Sequence, residues 1–158
     1  MSRLQKPINE RVLWSTGDLI LWAELDLLLK DSFGNWQVQS FRVDSAADMT
    51  TLPAYDAMLM SIPMPQSPAQ GVVHEPTGLP IRSGFIRCKV VGLDQTEYAF
   101  PRFFLGEPNL PPPPGTPPTR MPRYLLGLSG VVDKIRWTFD ATPAGLQAPH
   151  GFLTVEKI

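Results

Sequence analysis

Hydrophobic and polar residues alternate along much of this chain in the pattern of β-strands. Within residues 19–29, Glu24 and Asp26 fall on one face of an extended segment, while an alanine and several leucines fall on the other. A period of two is typical of a half-buried strand. An amphipathic helix is the alternative for this segment, because leucine favours helices.

The residues that follow favour the strand. Residues 31–35 are Asp-Ser-Phe-Gly-Asn, which is turn chemistry, and residues 36–43 alternate apolar and polar side chains again. Two alternating runs around a Gly-Asn turn predict a β-hairpin. We therefore expect residues 19–29 to form the first strand of that hairpin.

Proline and glycine divide the rest of the chain into short segments. The sequence contains 18 prolines and 12 glycines, too many for a helical bundle. Pro53 can open a short helix over residues 54–60, and residues 131–134 favour a single helical turn. Further strands are predicted at residues 71–74, 79–83, 85–91, 97–105, 135–140 and 151–156. The predicted fold class is all-β, mostly β with one or two short helices.

The length of 158 residues indicates one domain. We predict an N-terminal arm at residues 1–17 and a folded domain at residues 18–158. A proline-rich stretch at 107–122, which includes Pro-Pro-Pro-Pro-Gly-Thr-Pro-Pro, is predicted to be an extended, solvated loop. A docking peptide for a proline-binding module is the alternative reading of this stretch.

Charge and composition exclude several partners. A formal net charge of −1 gives no electrostatic footprint for nucleic acid or for an anionic membrane. The most apolar stretch, residues 19–29, carries two acidic residues and is too short to span a bilayer. The N-terminus lacks an apolar signal core, so we expect a cytoplasmic protein.

Cysteine and histidine, the residues most often found as nucleophiles or metal ligands, are rare in this chain. Cys88 is the sole cysteine and lies in a predicted strand, which favours a buried bystander over a nucleophile. His74 and His150 are far apart, and no Cys, His or carboxylate spacing indicates a metal site. No Gly-x-Ser-x-Gly elbow or phosphate-binding loop occurs. Neither a metal nor a cofactor is predicted.

Asp44 is the candidate catalytic residue. It ends the predicted strand at 36–43 and begins the run Asp-Ser-Ala-Ala-Asp at 44–48. An isolated aspartate after a strand is most often a turn residue or a helix cap. A second segment, at 124–140, begins Tyr-Leu-Leu-Gly and continues through a short turn into a strand, and a predicted hairpin lies between the two segments.

Taken together, these segments resemble the retropepsin-like (retroviral-type) aspartic peptidases of the bacterial single-domain type. In that family an apolar strand runs into Asp-Thr/Ser-Gly-Ala, a β-hairpin flap follows, and an apolar pair with Gly precedes a short helix and a strand. The resemblance covers roughly residues 18–155 in the same order. It implies a closed acid-protease barrel with one half-site per chain.

The resemblance also implies the chemistry. Peptide hydrolysis by this route needs two carboxylates that share one proton, one acting as base toward a water and the other donating to the carbonyl oxygen. This chain has one such motif. A homodimer would therefore place Asp44 against its equivalent across a two-fold axis, with a polypeptide substrate in the cleft.

Supporting roles follow by resemblance alone. Ser45 is expected to brace the loop of the opposite chain, Ala47 to support the turn, and Gly127 to pack closely beneath the catalytic loop. The flap would close over a bound peptide and exclude water. Its candidate substrate-binding residues are His74, Thr77, Gly78 and Leu79.

Ala46 departs from the family pattern, which has glycine in the catalytic triplet. Glycine lets backbone and substrate approach without a β-carbon, and an added methyl narrows the cleft. One alternative to the peptidase is therefore a catalytically silent module of the same type that binds peptides or dimerises. A second alternative is an unrelated small β-domain with a structural or interaction role.

Overall fold

The computed structural model describes residues 3–63, 82–105 and 124–158. Most of the predicted flap, including His74, Thr77, Gly78 and Leu79, lies outside the described residues, as does the proline-rich stretch at 107–122. The described part is mostly β-structure, which confirms the predicted all-β class at that level.

The described residues form eleven strands and one helix. In chain order these are β1 (Arg3–Pro7), β2 (Asn9–Val12), β3 (Leu19–Trp22), β4 (Glu24–Lys30), β5 (Trp36–Val43), β6 (Thr50–Pro53), α1 (Ala54–Leu59), β7 (Arg82–Val90), β8 (Tyr98–Leu105), β9 (Leu125–Leu126), β10 (Ile135–Asp140) and β11 (Phe152–Lys157).

Six strands close into a barrel in the order β4-β5-β9-β6-β8-β7. Strands β4 and β5 pair antiparallel, with Lys30 opposite Trp36 beside the turn, which confirms the predicted hairpin. Leu25, Leu27 and Leu29 are fully buried, because alternate residues of a strand point to the same side. The helical alternative for residues 19–29 is wrong, and the segment is two strands that break at Ala23 rather than one.

The barrel encloses the main hydrophobic core. Phe41, Phe100 and Leu126 are among its largest fully buried side chains. Arg102 is also fully buried, and its guanidinium donates to the carbonyl oxygens of Pro63 (3.4 Å) and Phe85 (3.2 Å). The described interior is thus mostly apolar, and Arg102 is the largest of its few buried polar residues.

Two smaller sheets flank the barrel in the described chain, one with the order β1-β11-β10 and one formed by β2 and β3. The predicted N-terminal arm, residues 1–17, contributes β1, which pairs with the C-terminal strand β11, and β2, which pairs with β3. The first of these pairings joins the N-terminal strand to the last strand of the chain.

The helical content of the described residues is small. Helix α1 begins directly after Pro53, as the sequence predicted, and extends for six residues. Residues 131–134, predicted as a single helical turn, form consecutive turns in which the Ile135 amide donates to the Val131 carbonyl oxygen at 2.9 Å. No described helix approaches the length of about 20 apolar residues that a bilayer span needs.

Candidate functional site

Asp44 follows β5 at one end of the barrel. The side chain of Val43 before it is buried in the core, whereas Asp44 is half-buried and Ser45 and Ala46 are exposed. The Asp44 carboxylate accepts a hydrogen bond from the Ala46 amide through Oδ1 (2.9 Å). This is the local turn bond that aspartate commonly makes. Among the described residues, Oδ2 accepts no hydrogen bond.

Strand β9 lies between β5 and β6, although β5 and β6 are consecutive strands in the chain order. Val43 pairs with Leu126 in parallel, and Thr51 pairs with Leu125 antiparallel. The loop at 44–49 must therefore pass around the end of β9. This brings the Asp44 motif and the Leu-Leu-Gly motif, distant in sequence, into direct contact.

Hydrogen bonds join the two motifs. The Asp44 amide donates to the Leu126 carbonyl oxygen (3.1 Å), and the Leu128 amide donates to the Ala47 carbonyl oxygen (3.0 Å). The Ser129 amide donates to the Asp48 carbonyl oxygen (2.8 Å). The loop is therefore hydrogen-bonded to β9 at its beginning and to the residues after β9 at its middle.

Thr50 completes this attachment. Its side chain is fully buried, and its hydroxyl accepts a hydrogen bond from the Gly127 amide at 3.1 Å. Sequence reasoning missed Thr50, because a threonine in a strand is ordinary and its partner is 77 residues away. The hydroxyl satisfies an amide that is otherwise buried without a partner among the described groups.

Gly127 lies against the backbone of the Asp44 loop. A β-carbon at this position would be 2.4 Å from the Met49 carbonyl carbon and 2.9 Å from the Ala47 carbonyl oxygen. Both neighbours are backbone atoms and cannot rotate away. Glycine is required here for close approach of two backbone segments.

A groove of about 480 Å³ opens beside Asp44. It is lined by residues of β3, β5 and β10 and by the start of the Asp44 loop: Leu21, Trp22, Ala23, Arg42, Val43, Asp44, Ser45 and Phe139. An adjoining depression of about 350 Å³ shares Ser45 and Phe139 with it. Asp44 is thus at the wall of an open cleft.

Apolar side chains surround this cleft on the surface. Phe139 is 47% exposed, Val132 44% and Ile158 63%, and all three line the adjoining depression. Leu21, at the far side of the groove, is 43% exposed. We call these four residues the apolar rim. Large exposed apolar groups that cluster in one place mark interaction surfaces.

The other candidate residues occupy different places. Ala47 is half-buried, and the Ser45 hydroxyl has no hydrogen-bond partner among the described residues. Cys88 is a free, fully buried thiol, and burial raises its pKa to about 12. The described residues contain no group of three or more His, Cys, Asp or Glu side chains that could hold a metal ion.

No protein-family model, curated protein or solved structure matches the chain. Any function must therefore be inferred from the geometry around Asp44. That geometry consists of a half-buried carboxylate, a loop hydrogen-bonded to β9 and to the residues after it, an open groove and an apolar rim.

Proposed function

We propose that this chain is one half of an aspartic endopeptidase, in which Asp44 and its equivalent in a second copy form the catalytic dyad. The observation that carries the proposal is the loop at 44–49, which is bonded to β9 and to the segment after it and holds Asp44 at the wall of an open groove. A shared-proton dyad requires such fixed placement, because its two carboxylates must lie within hydrogen-bond distance.

In the proposed reaction, the ionised member of the dyad takes a proton from a water molecule, whose oxygen attacks the peptide carbonyl carbon. The protonated member gives its proton to the carbonyl oxygen. When the resulting tetrahedral intermediate collapses, the C–N bond breaks and the carboxyl that took the water proton gives it to the leaving nitrogen. The other carboxylate takes a proton back from a hydroxyl of the intermediate as the carbonyl re-forms. Each Asp44 alternates between acid and base, so two identical chains suffice.

The apolar rim supports the proposal that a second copy binds across a two-fold axis. A two-fold interface uses the same surface on both copies, so the rim of one chain would face the rim of the other. Its members border the groove and the depression next to Ser45, which is where a second Asp44 loop must approach. Burial of this rim would favour association by about 25 cal/mol per Å² of apolar surface.

Ala46 favours a second candidate function, a catalytically silent module of the same architecture that binds peptides or dimerises. Ala46 is exposed, so its methyl group lies on the surface that a substrate or a partner would approach. Its amide already donates to Asp44. A β-carbon beside the dyad would restrict the position of the scissile bond.

The test is cleavage of a broad peptide library by the purified chain between about pH 4 and pH 7. Asp44→Asn should abolish cleavage without changing the fold or the dimer, since the two side chains have nearly the same shape. Asp48→Asn is the matched control, because Asp48 is an exposed carboxylate of the same loop and should be dispensable. Cleavage that survives in Asp44→Asn, or a stable dimer without cleavage at any pH, rules out the peptidase.

The Ala46→Gly variant distinguishes the catalytically silent module from the active peptidase. If the natural chain binds peptides without cleaving them and Ala46→Gly acquires turnover that Asp44→Asn removes, the silent module is the better description. Equal cleavage by the natural chain and by Ala46→Gly contradicts it.

A further inference from the structure

Arg42 is the one basic residue among those that line the groove beside Asp44 in the described structure. It precedes Asp44 by two residues and is half-buried on the outer side of β5. Asp44 lies just beyond the last residue of β5, and both Arg42 and Asp44 line the groove. The groove wall therefore carries both a cation and a carboxylate.

The Arg42 side chain rests on an aromatic ring rather than on an acid. Its Cζ atom lies 5.2 Å from the centroid of the Trp22 ring, a cation–π distance. Glu24 is directly opposite Arg42 in the β4–β5 ladder, but its carboxylate accepts a hydrogen bond from the Trp22 indole at 3.1 Å. No carboxylate of the described residues makes an ion pair with Arg42.

This arrangement is suited to an anionic ligand group. The Arg42 guanidinium lies beside the Trp22 ring, and a guanidinium can donate two parallel hydrogen bonds to a carboxylate. Partial burial strengthens such an ion pair relative to one in open water. The Asp44 carboxylate would repel a ligand carboxylate placed next to it. The ligand carboxylate should therefore bind beside Arg42 and not beside Asp44.

We infer that Arg42 forms a carboxylate-binding subsite of the groove. The inference rests on the proposed function for the identity of the ligand as a polypeptide. An extended peptide advances about 3.3 Å per residue. The preferred substrate then carries a carboxylate within about two residues of the bond held at Asp44, either as an Asp or Glu side chain or as a free C-terminus.

Direct binding tests the subsite independently of turnover. We would measure the affinity of the Asp44→Asn chain for an alanine- and leucine-based peptide set in which a single Glu, Gln or Lys is moved through every position. Each peptide is made as the free acid and as the C-terminal amide. Glu should bind about tenfold more tightly than Gln at one or two positions. If the ligand group is the terminus instead, the free acid should exceed the amide by the same factor.

Substitutions of Arg42 test whether this residue causes the preference for acidic peptides. In the Asp44→Asn background, Arg42→Gln should reduce the Glu-to-Gln ratio to about one, and Arg42→Glu should favour Lys. Arg87→Gln is the matched control, since Arg87 is an exposed arginine of β7 that pairs with Glu97 away from the groove. It should leave the preference unchanged.

The outcomes separate this inference from the peptidase proposal. The subsite is overturned if Glu and Gln peptides bind equally and free acids and amides also bind equally, if either preference persists in Arg42→Gln, or if no peptide binds at all. Cleavage by the natural chain without an acidic preference leaves the peptidase and removes the subsite. Arg42-dependent binding of acidic peptides without any cleavage leaves the subsite and removes the peptidase.

Discussion

The Asp44 carboxylate has its two oxygens in different situations. Oδ1 is engaged with the Ala46 amide, whereas Oδ2 has no hydrogen-bond partner among the described residues. The backbone around Asp44 packs closely against Gly127, whose amide donates a hydrogen bond to the buried Thr50 hydroxyl. These buried neighbours position the Asp44 loop, and the bond from the Ala46 amide orients the carboxylate within it.

Gly127→Ala tests the close approach beneath the loop. We expect it to lower the free energy of unfolding by about 2–3 kcal/mol or more, because the methyl group overlaps the backbone at Met49. Urea denaturation measures the change. Gly17→Ala is the control, since Gly17 has a φ of 74° but open space around it and should cost only about 1 kcal/mol. Equal losses for the two variants would contradict the steric account.

Cys88 predicts a pH dependence. Burial raises the pKa of its thiol from 9.0 to about 12, with a smaller contribution from the charge of Glu97. The fold favours the neutral thiol, so this contribution to stability is complete below about pH 9 and is lost as the pH rises toward about 12.

The measurement is the free energy of unfolding between pH 7 and about pH 10.5 for the natural chain and for Cys88→Ala. The natural chain should lose stability more steeply above about pH 9, because only its unfolded state gains a thiolate. Native Cys88 should also resist thiol reagents at pH 8. Parallel pH curves, or rapid labelling of the native protein, would be inconsistent with this burial.

At the scale of elements, the two-residue strand β9 is important for closing the barrel. It has two residues, yet it bridges β5 and β6 and closes the barrel at the site. Its pairing is parallel on one side and antiparallel on the other, which no local sequence pattern specifies. The short strand is stabilised by the burial of Leu126 in the core.

Leu126→Ala should therefore cost about 3 kcal/mol, within the range for leucine truncations in a packed core. Leu125→Ala is the matched control in the same strand, and because Leu125 is only half-buried it should cost less than half as much. Thermal or urea unfolding compares the two. Amide exchange at Asp44, whose N–H donates to the Leu126 carbonyl, should quicken in Leu126→Ala. If both truncations cost the same, the strand is not anchored through Leu126.

At the scale of the whole molecule, one surface presents the open groove, with Arg42 and Asp44 in its wall, and the apolar rim beside it. The proposed dimer would pair the apolar rims of the two copies and complete the dyad. Peptidase activity would then require dimerisation, since neither chain holds two catalytic carboxylates by itself.

Phe139→Lys tests this coupling. A charge in the middle of the apolar rim should weaken self-association at least tenfold and remove cleavage in proportion, while the monomer stays folded because Phe139 is 47% exposed. Phe85→Lys is the control, because Phe85 is 68% exposed but lines neither the groove nor the depression. Sedimentation equilibrium reports the association. Unchanged association in Phe139→Lys would place the dimer contact elsewhere.

The sequence by itself determined the elements that depend on local pattern. Period-two alternation specified the β4–β5 hairpin and its buried leucines, and Pro53 marked the start of α1. Only the tertiary structure decided that β9 lies between β5 and β6, that Thr50 supports Gly127, and that Arg42 stands beside Asp44 in a groove. The reason is physical. Alternation tells which face of a strand is buried, whereas strand order and groove lining depend on contacts between residues far apart in the chain.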